Sequence, residues 1–240
     1  MQNYARIPRP SCRARFFNYT RRVTSFSIPL VPLSNVVLFP GCLAPLHIFE
    51  PRYRQMTEFA LEAERLIGMV TVRPDAREAM AGNPPIYVVG CAGLITDHQR
   101  LPDGRYDIVL RGTKRFRVES ESAPDSERLY RVADARWLDD PDAGFADGRA
   151  GLREGVLGHL RRLARRSQGG EEESLAHLGE LDDCAFTNSR CQALDRPPEE
   201  KQGLLEAESL TERLTQLEGL LAFHSAGLDG SQPGGASTVH

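Results

Sequence analysis

The stretch Leu38–Met56, LFPGCLAPLHIFEPRYRQM, carries a turn, a strand and the start of a helix in one run. Phe39-Pro40-Gly41 reads as a chain reversal, because proline presets φ and glycine accepts a positive φ without a Cβ penalty. Pro45 to Phe49 reads as an apolar strand. Pro51 then suits the first position of a helix, where its missing N–H has no intrahelical partner to lose. From there Tyr53, Met56, Phe59, Ala60, Ala63, Leu66 and Ile67 recur on one face at helical spacing. A helix set among strand-like runs predicts an α+β fold.

The same stretch holds His47, Glu50 and Cys42, so it also raises the question of chemistry. A His-x-x-Glu pair can ligate a metal or act as a base with its orienter. A zinc site needs further ligands at useful spacing, and the next histidine is His98. The expected roles are therefore structural for Pro40, Gly41, His47, Glu50 and Arg52. His47 should pack in or beside the β-rich part. Glu50 should accept hydrogen bonds from backbone N–H groups or from an arginine at the positive end of the helix.

Outward from this junction, IPLVPLSNVVLF, LIGMVTV, IYVVGCAGLI, RYDIVLRG, RFRVES and LYRVADARWL follow as short β-type runs. Tyr106, Ile108 and Leu110 alternate with Asp107 and Val109, which gives a strand with one wet face. Asp103-Gly104 supplies a tight reversal, so Ile95 to Leu110 reads as a hairpin. After the Gly/Asp-rich connection DDPDAGFADGRAG the period changes to 3.6. Leu152, Val156, Leu157, Leu160 and Leu163 predict one helix, and Leu175, Leu178 and Leu181 a shorter one. A third spans Glu199 to Glu206. A fourth carries Leu214, Leu217, Leu220 and Leu221 behind a Ser209–Glu212 capping box. The expected organisation is a basic disordered extension at 1–26, a β-rich subdomain at 27–140, a helical bundle at 150–225 and a disordered Gly/Ser-rich tail at 226–240. Composition does not separate the extension, which has six arginines and no acid, from a transit-like segment or from translation begun at an upstream start.

Composition excludes several functions. The formal net charge is -3 over 240 residues, so no global basic field favours nucleic acid. No apolar run is long enough to cross a membrane. The chain has no Gly-Lys-Ser/Thr phosphate loop and no GxSxG elbow. Its only lysines, Lys114 and Lys201, sit in charged or polar contexts unsuited to a Ser–Lys dyad. Five scattered cysteines without CxxC spacing suit a reducing compartment. RGTKRFRV, from Arg111, groups four cations with an aromatic and offers a candidate RNA surface, although a solvated strand face explains it better.

The order of motifs resembles the N-terminal substrate-binding domain of the Lon protease family. IPLVPLSNVVLFPGCLAPLHIFEPRYRQM is similar to its opening, VGCAGLI with LPDGRYDIVLRGTKRFRV to its central hairpin, and EEKQGLLEAESLTERL to a late helical motif. The resemblance covers Ser27 to Phe223. It implies a PUA-like β-barrel or sandwich with one inserted helix, followed by a helical bundle, and a role in binding unfolded or tagged polypeptide. It transfers no catalytic residue, cofactor or metal. Full Lon proteases carry ATPase and Ser–Lys peptidase modules, whereas this sequence resembles a stand-alone form. The resulting expectation is a non-catalytic, cytoplasmic, bacterial peptide-binding module, adaptor-like or chaperone-like, with a protease or chaperone as a possible second partner. Tyr53 and Met56, with the surface around Arg115 and Arg117, are the candidate peptide contacts, at a cleft between barrel and bundle. RNA binding is the alternative. Leucines 204, 205, 210, 214, 217 and 221 leave a homodimer through the bundle open.

Overall fold

The computed structural model describes residues 25–75, 82–144, 148–165 and 177–229. The readings for residues 1–24, most of the short helix around Leu175 and residues 230–240 lie outside the described residues; Ser25 and Phe26, expected in the disordered extension, open the first strand, and residues 226–229, expected in the tail, end the last helix. The elements are β1 (Ser25–Leu33), β2 (Leu43–Ile48), α1 (Pro51–Glu62), β3 (Leu66–Thr71), β4 (Val89–Arg100), β5 (Tyr106–Ser122) and β6 (Val132–Leu138). Four helices follow: α2 (Arg149–Ala164), α3 (Asp183–Ala193), α4 (Pro198–Glu206) and α5 (Leu210–Asp229).

The six strands run in the order β2-β5-β4-β3-β1-β6, and β5 also pairs with β6, which closes a barrel. Closure depends on the length of β5. Its Tyr106–Arg111 half pairs with β2 and its Arg115–Ser122 half with β6, while β4 occupies its other edge. Only β1 and β3 are parallel, and the crossover such a pair requires is supplied by β2 and α1. β2 ends the sheet. Gly112 N donates to Cys42 O at 2.8 Å, so alternation along the strand turns Pro45 toward the unpaired edge, where its missing donor costs nothing and blunts further pairing.

The barrel interior is narrow. Phe116 fills it, surrounded by Ile28, Leu30, Val70, Ala92, Ala133 and Ala135. A Cβ on Gly90 would lie 2.5 Å from Met69 O and 2.7 Å from Phe116 Cζ, so only glycine lets this strand pass the ring. The expected β4–β5 hairpin is present. Gly104, at φ +81°, donates to Leu101 O at 2.9 Å and Arg105 O accepts from Leu101 N at 2.8 Å. β1 departs from the one-wet-face expectation: Ile28 to Pro32 are all buried, because Ile28 and Leu30 face the barrel interior while Val31 joins the larger core with α1.

α1 begins at Pro51 as expected but stops at Glu62. Arg65 has φ +60°, and Leu66 and Ile67 belong to β3, where pairing with β1 and β4 overrides the helical spacing. Phe59, placed on the buried face by that spacing, is 52% exposed.

The helices and the outer face of the sheet share one apolar core. Leu204, Leu205, Leu210, Leu214, Leu217 and Leu221 are all buried in it, so the leucines that suggested a dimer are consumed within the chain. α3 has no counterpart in the sequence reading, because its buried face mixes Phe186 and Cys191 with Thr187 and Asn188. Asp182 caps it by accepting from Ala185 N at 2.8 Å. The predicted box opens α5: Glu212 N donates to Ser209 Oγ at 3.1 Å, while the Glu212 carboxylate takes Glu208 N, one residue before the expected partner, at 2.7 Å.

The connection read as a linker is a weld. Asp140 accepts from Arg115 Nη2 at 2.6 Å and from Arg213 Nη2 at 2.9 Å, joining β5 to α5. Arg115 Nη1 donates to Leu205 O and Ala207 O, and Arg213 donates to Leu204 O and Asn188 Oδ1. Asp142 caps α5 by accepting from Leu210 N at 2.8 Å and Thr211 N at 2.9 Å. Gln202 completes the join from α4, accepting from Thr71 Oγ1 at 2.8 Å and donating to Val89 O at 3.0 Å. Such a buried polar set is tolerable because most of its polar atoms find partners within it; Arg115 Nε is buried without one.

Candidate functional site

His47 lies on β2, half exposed. Its Nδ1 meets Asp107 Oδ1 at 2.6 Å and its Nε2 meets Arg105 Nη1 at 3.2 Å, which engages both ring nitrogens. Glu50 makes no side-chain cap bond; of the two acceptor roles expected, it takes the arginine, receiving Arg52 Nε at 2.8 Å. Arg52 in turn lies 4.6 Å over the Tyr53 ring. Among the described residues no group of three or more His, Cys, Asp or Glu is placed to hold a metal.

Three of the cysteines and both lysines are held by burial or by partners. Burial raises the Cys42 thiol to about 11 and the Cys91 and Cys191 thiols to about 12, so all three stay protonated near neutral pH. Lys201 is lowered by burial, yet its Nζ is committed to Gln192 O at 2.7 Å. Lys114 pairs with Asp139 at 2.5 Å.

The predicted contact residues need correction. Met56 is 0% exposed and Tyr53 is buried, because α1 packs this side into the core. Arg115 is 2% exposed. The cause is a bulge: β4 residues Ala92 and Gly93 pair with Lys114 and Gly112, which skips Thr113 and shifts the phase of β5. Arg115 then turns toward α4 and α5 while Phe116 turns into the barrel. Arg117 remains half exposed. RGTKRFR thus loses its central cation as surface, and the RNA alternative gains no support. The expected cleft between barrel and bundle is also absent among the described residues, since apolar core and the arginine–aspartate network fill it.

Two hollows stand out elsewhere among the described residues. One, about 390 Å³, spans β2, β5 and β4 and is bordered by His47, Asp97, His98 and Asp107. His47 and Asp107 already engage each other, with Arg105 on the second ring nitrogen. The second, about 340 Å³, has Phe26 and Ile28 on one side, Trp137 and Leu66 beside them, and Phe59 and Glu64 from the end of α1 across the opening. Phe26 and Trp137 stack with ring centroids 3.8 Å apart and planes at 14°. Phe26 also meets Phe116 edge-on at 6.4 Å, so the pocket floor continues into the barrel core. Half-exposed Phe59 contributes an apolar ring from α1, and the small Ala60 and Ala63 line the hollow beside it.

An apolar cavity with aromatic side chains in its lining offers a place for an apolar group to leave water. The sequence reading missed it because Phe59 was assigned to the buried face, Phe26 to the disordered extension and Trp137 to an ordinary strand. The available signal was the chain's single tryptophan near the end of a strand.

A closed β-barrel welded to a helical bundle, with an aromatic pocket, is the framework of a binding domain. The chain belongs to the ATP-dependent protease La (LON) substrate-binding domain family, whose family model matches residues 27–222. It is 30% identical over 200 residues to the Lon protease of Anaeromyxobacter dehalogenans, covering 78% of this chain and 22% of that protein. It is 23% identical over 201 residues to the Lon protease of Escherichia coli K12, covering 83% of this chain and 25% of that protein. The chain therefore spans about a quarter of these relatives. The fold is similar to the N-terminal domain of Mycobacterium avium complex Lon protease, with TM-score 0.65, 18% identity and coverage of 83% of this chain and 100% of that one. It is also similar to a Lon N-terminal domain protein from Xanthomonas campestris, with TM-score 0.58, 24% identity and coverage of 82% and 98%. Among the described residues no helix is long and apolar enough to cross a membrane.

Proposed function

We propose that the chain is a non-catalytic polypeptide-binding module that engages exposed apolar segments through the Phe26–Phe59–Trp137 pocket. In this reading it works in the cytoplasm in an adaptor-like or chaperone-like way, passing bound segments to a protease or chaperone. The observation that carries the reading is the exposed aromatic wall: Phe59, 52% exposed, faces an apolar hollow on a domain of a substrate-binding family. Large apolar side chains of an unfolded chain would leave water on entering it, and full burial of one contributes about 1.5–3 kcal/mol before ordering costs. The thiols and lysines described above support a binding role over a catalytic one.

The test is titration of the full chain with a fluorescently labelled, permanently unfolded carboxymethylated protein, read by anisotropy, alongside its native counterpart. The unfolded form should bind and the native form should not. Phe59→Ala should weaken binding while leaving the circular dichroism spectrum and melting temperature unchanged, because an exposed side chain contributes little to stability. Equal binding by Phe59→Ala, or no binding of the unfolded protein by a folded sample, overturns the assignment.

A further inference from the structure

We propose that the pocket selects segments in which a large apolar side chain has a lysine or arginine close by in sequence. The proposal rests on the reading of this pocket as a polypeptide site, and it adds a charge rule to that reading. Glu64 is the only charged residue lining the pocket, and it is exposed. The wall it stands on is the C-terminal end of α1, the negative end of a helix dipole, where basic residues are normally favoured. α1 has none in its last turn and carries Glu62 there instead.

The opposite wall adds a second carboxylate. Ser27 lines the pocket and donates its hydroxyl to Asp134 Oδ1 at 2.7 Å, and Ser120 donates to the other oxygen of Asp134 at 3.2 Å. Among the described residues, the cations adjoining these walls in sequence are Arg136, which faces Glu119 at 3.5 Å, and Arg65, which is exposed; Arg21 and Arg22 lie outside the described residues. Within the described residues Glu64 in the lining, with Glu62 and Asp134 next to lining residues, outnumbers Arg65, the one of these cations not paired with a carboxylate. An apolar side chain in the hollow would carry its sequence neighbours across this rim. A cation there is attracted and a carboxylate repelled.

Three tryptophan-free peptides with the same central Phe-Leu pair, flanked by lysine, serine or glutamate, provide the test. Trp137, the only tryptophan of the chain, reports occupancy through its emission. The lysine peptide should bind about fivefold more tightly than the glutamate peptide at low salt, the size expected of exposed charge pairs. In about 1 M salt, where the screening length falls to about 3 Å, the ratio should drop below about twofold. Glu64→Gln should narrow the low-salt ratio and leave the serine peptide unaffected, whereas Phe59→Ala should weaken all three alike. If lysine and glutamate peptides bind equally, the charge rule is wrong and the polypeptide reading stands. If none of the three peptides binds, the polypeptide reading falls and takes the charge rule with it.

Discussion

Asp140→Ala should be the most damaging exposed-side substitution in this chain, although the residue lies in a segment that reads as a linker. Its carboxylate is 17% exposed and faces two guanidinium groups that are 2% and 0% exposed, at 2.6 Å from Arg115 and 2.9 Å from Arg213. Removing one partner of a buried ion pair typically costs about 3–5 kcal/mol, because the other charge is left uncompensated. Here two cations lose their shared counter-ion. Burial already lowers the Arg115 pKa, followed by repulsion from Arg213, so the pair is held against desolvation and like charge. Both arginines keep backbone acceptors on α4, at Leu204, Leu205 and Ala207, which places the expected loss at the lower end, about 3 kcal/mol.

Equilibrium urea unfolding followed by two probes gives the measurement. Far-ultraviolet circular dichroism reports mainly the helices, and Trp137 fluorescence reports the end of β6. The two transitions should coincide in the natural chain and separate in Asp140→Ala, because the network reinforces the apolar core that bundle and barrel share. Asp139→Ala is the control: its pair with Lys114 has side chains 79% and 44% exposed, and its loss should cost less than about 1 kcal/mol. A loss below about 1 kcal/mol for Asp140→Ala, with coincident transitions, would refute the weld.

Gly90→Ala should lower the melting temperature by an amount equivalent to about 1–3 kcal/mol, since its Cβ would press on Met69 O at 2.5 Å, a backbone atom without an easy retreat. Gly158→Ala, in open space on α2, should instead leave stability equal or raised by up to about 1 kcal/mol, and the two melts side by side decide the point. For Asp142, burial pushes the carboxyl pKa up, but hydrogen bonds from Thr211 and Leu210 outweigh it and hold the value below the ordinary 3.8. Its stabilising contribution is therefore present in full above the ordinary value and lost as pH falls through the lower folded value. The urea-stability gap between the natural chain and Asp142→Asn should be flat above about pH 5 and shrink toward pH 2; a gap that persists unchanged at pH 2 contradicts the assigned role.

Much of this was legible before any coordinates. Pro51 marks a helix start because its missing N–H costs nothing in a first turn and its ring is excluded from a helix interior, Asp103-Gly104 marks the hairpin because a positive φ is needed there, and Tyr106-Ile108-Leu110 show the strand's buried face by simple alternation. Glu50 receives Arg52, whereas His47, expected to pack in or beside the β-rich part, stands on β2 with its side chain 43% exposed, between Asp107 and Arg105.

Local pattern stopped short wherever a distant partner set the outcome. Phe59 obeys the spacing of a buried residue, but α1 ends before the core can cover it, so it becomes the wall of a pocket. The bulge at Thr113 reverses the side on which Arg115 lies, and no period in the sequence announces it. Asp139 to Asp142 look like a solvated connection until Arg115, Arg149 and Arg213 arrive from other elements. The order and types of most elements follow from spacing and turn chemistry, which act within a few residues. Barrel closure, the buried network and the aromatic pocket depend on contacts between separate elements, from Arg115 with Asp140 to Phe26 with Trp137, and only the folded chain brings those together.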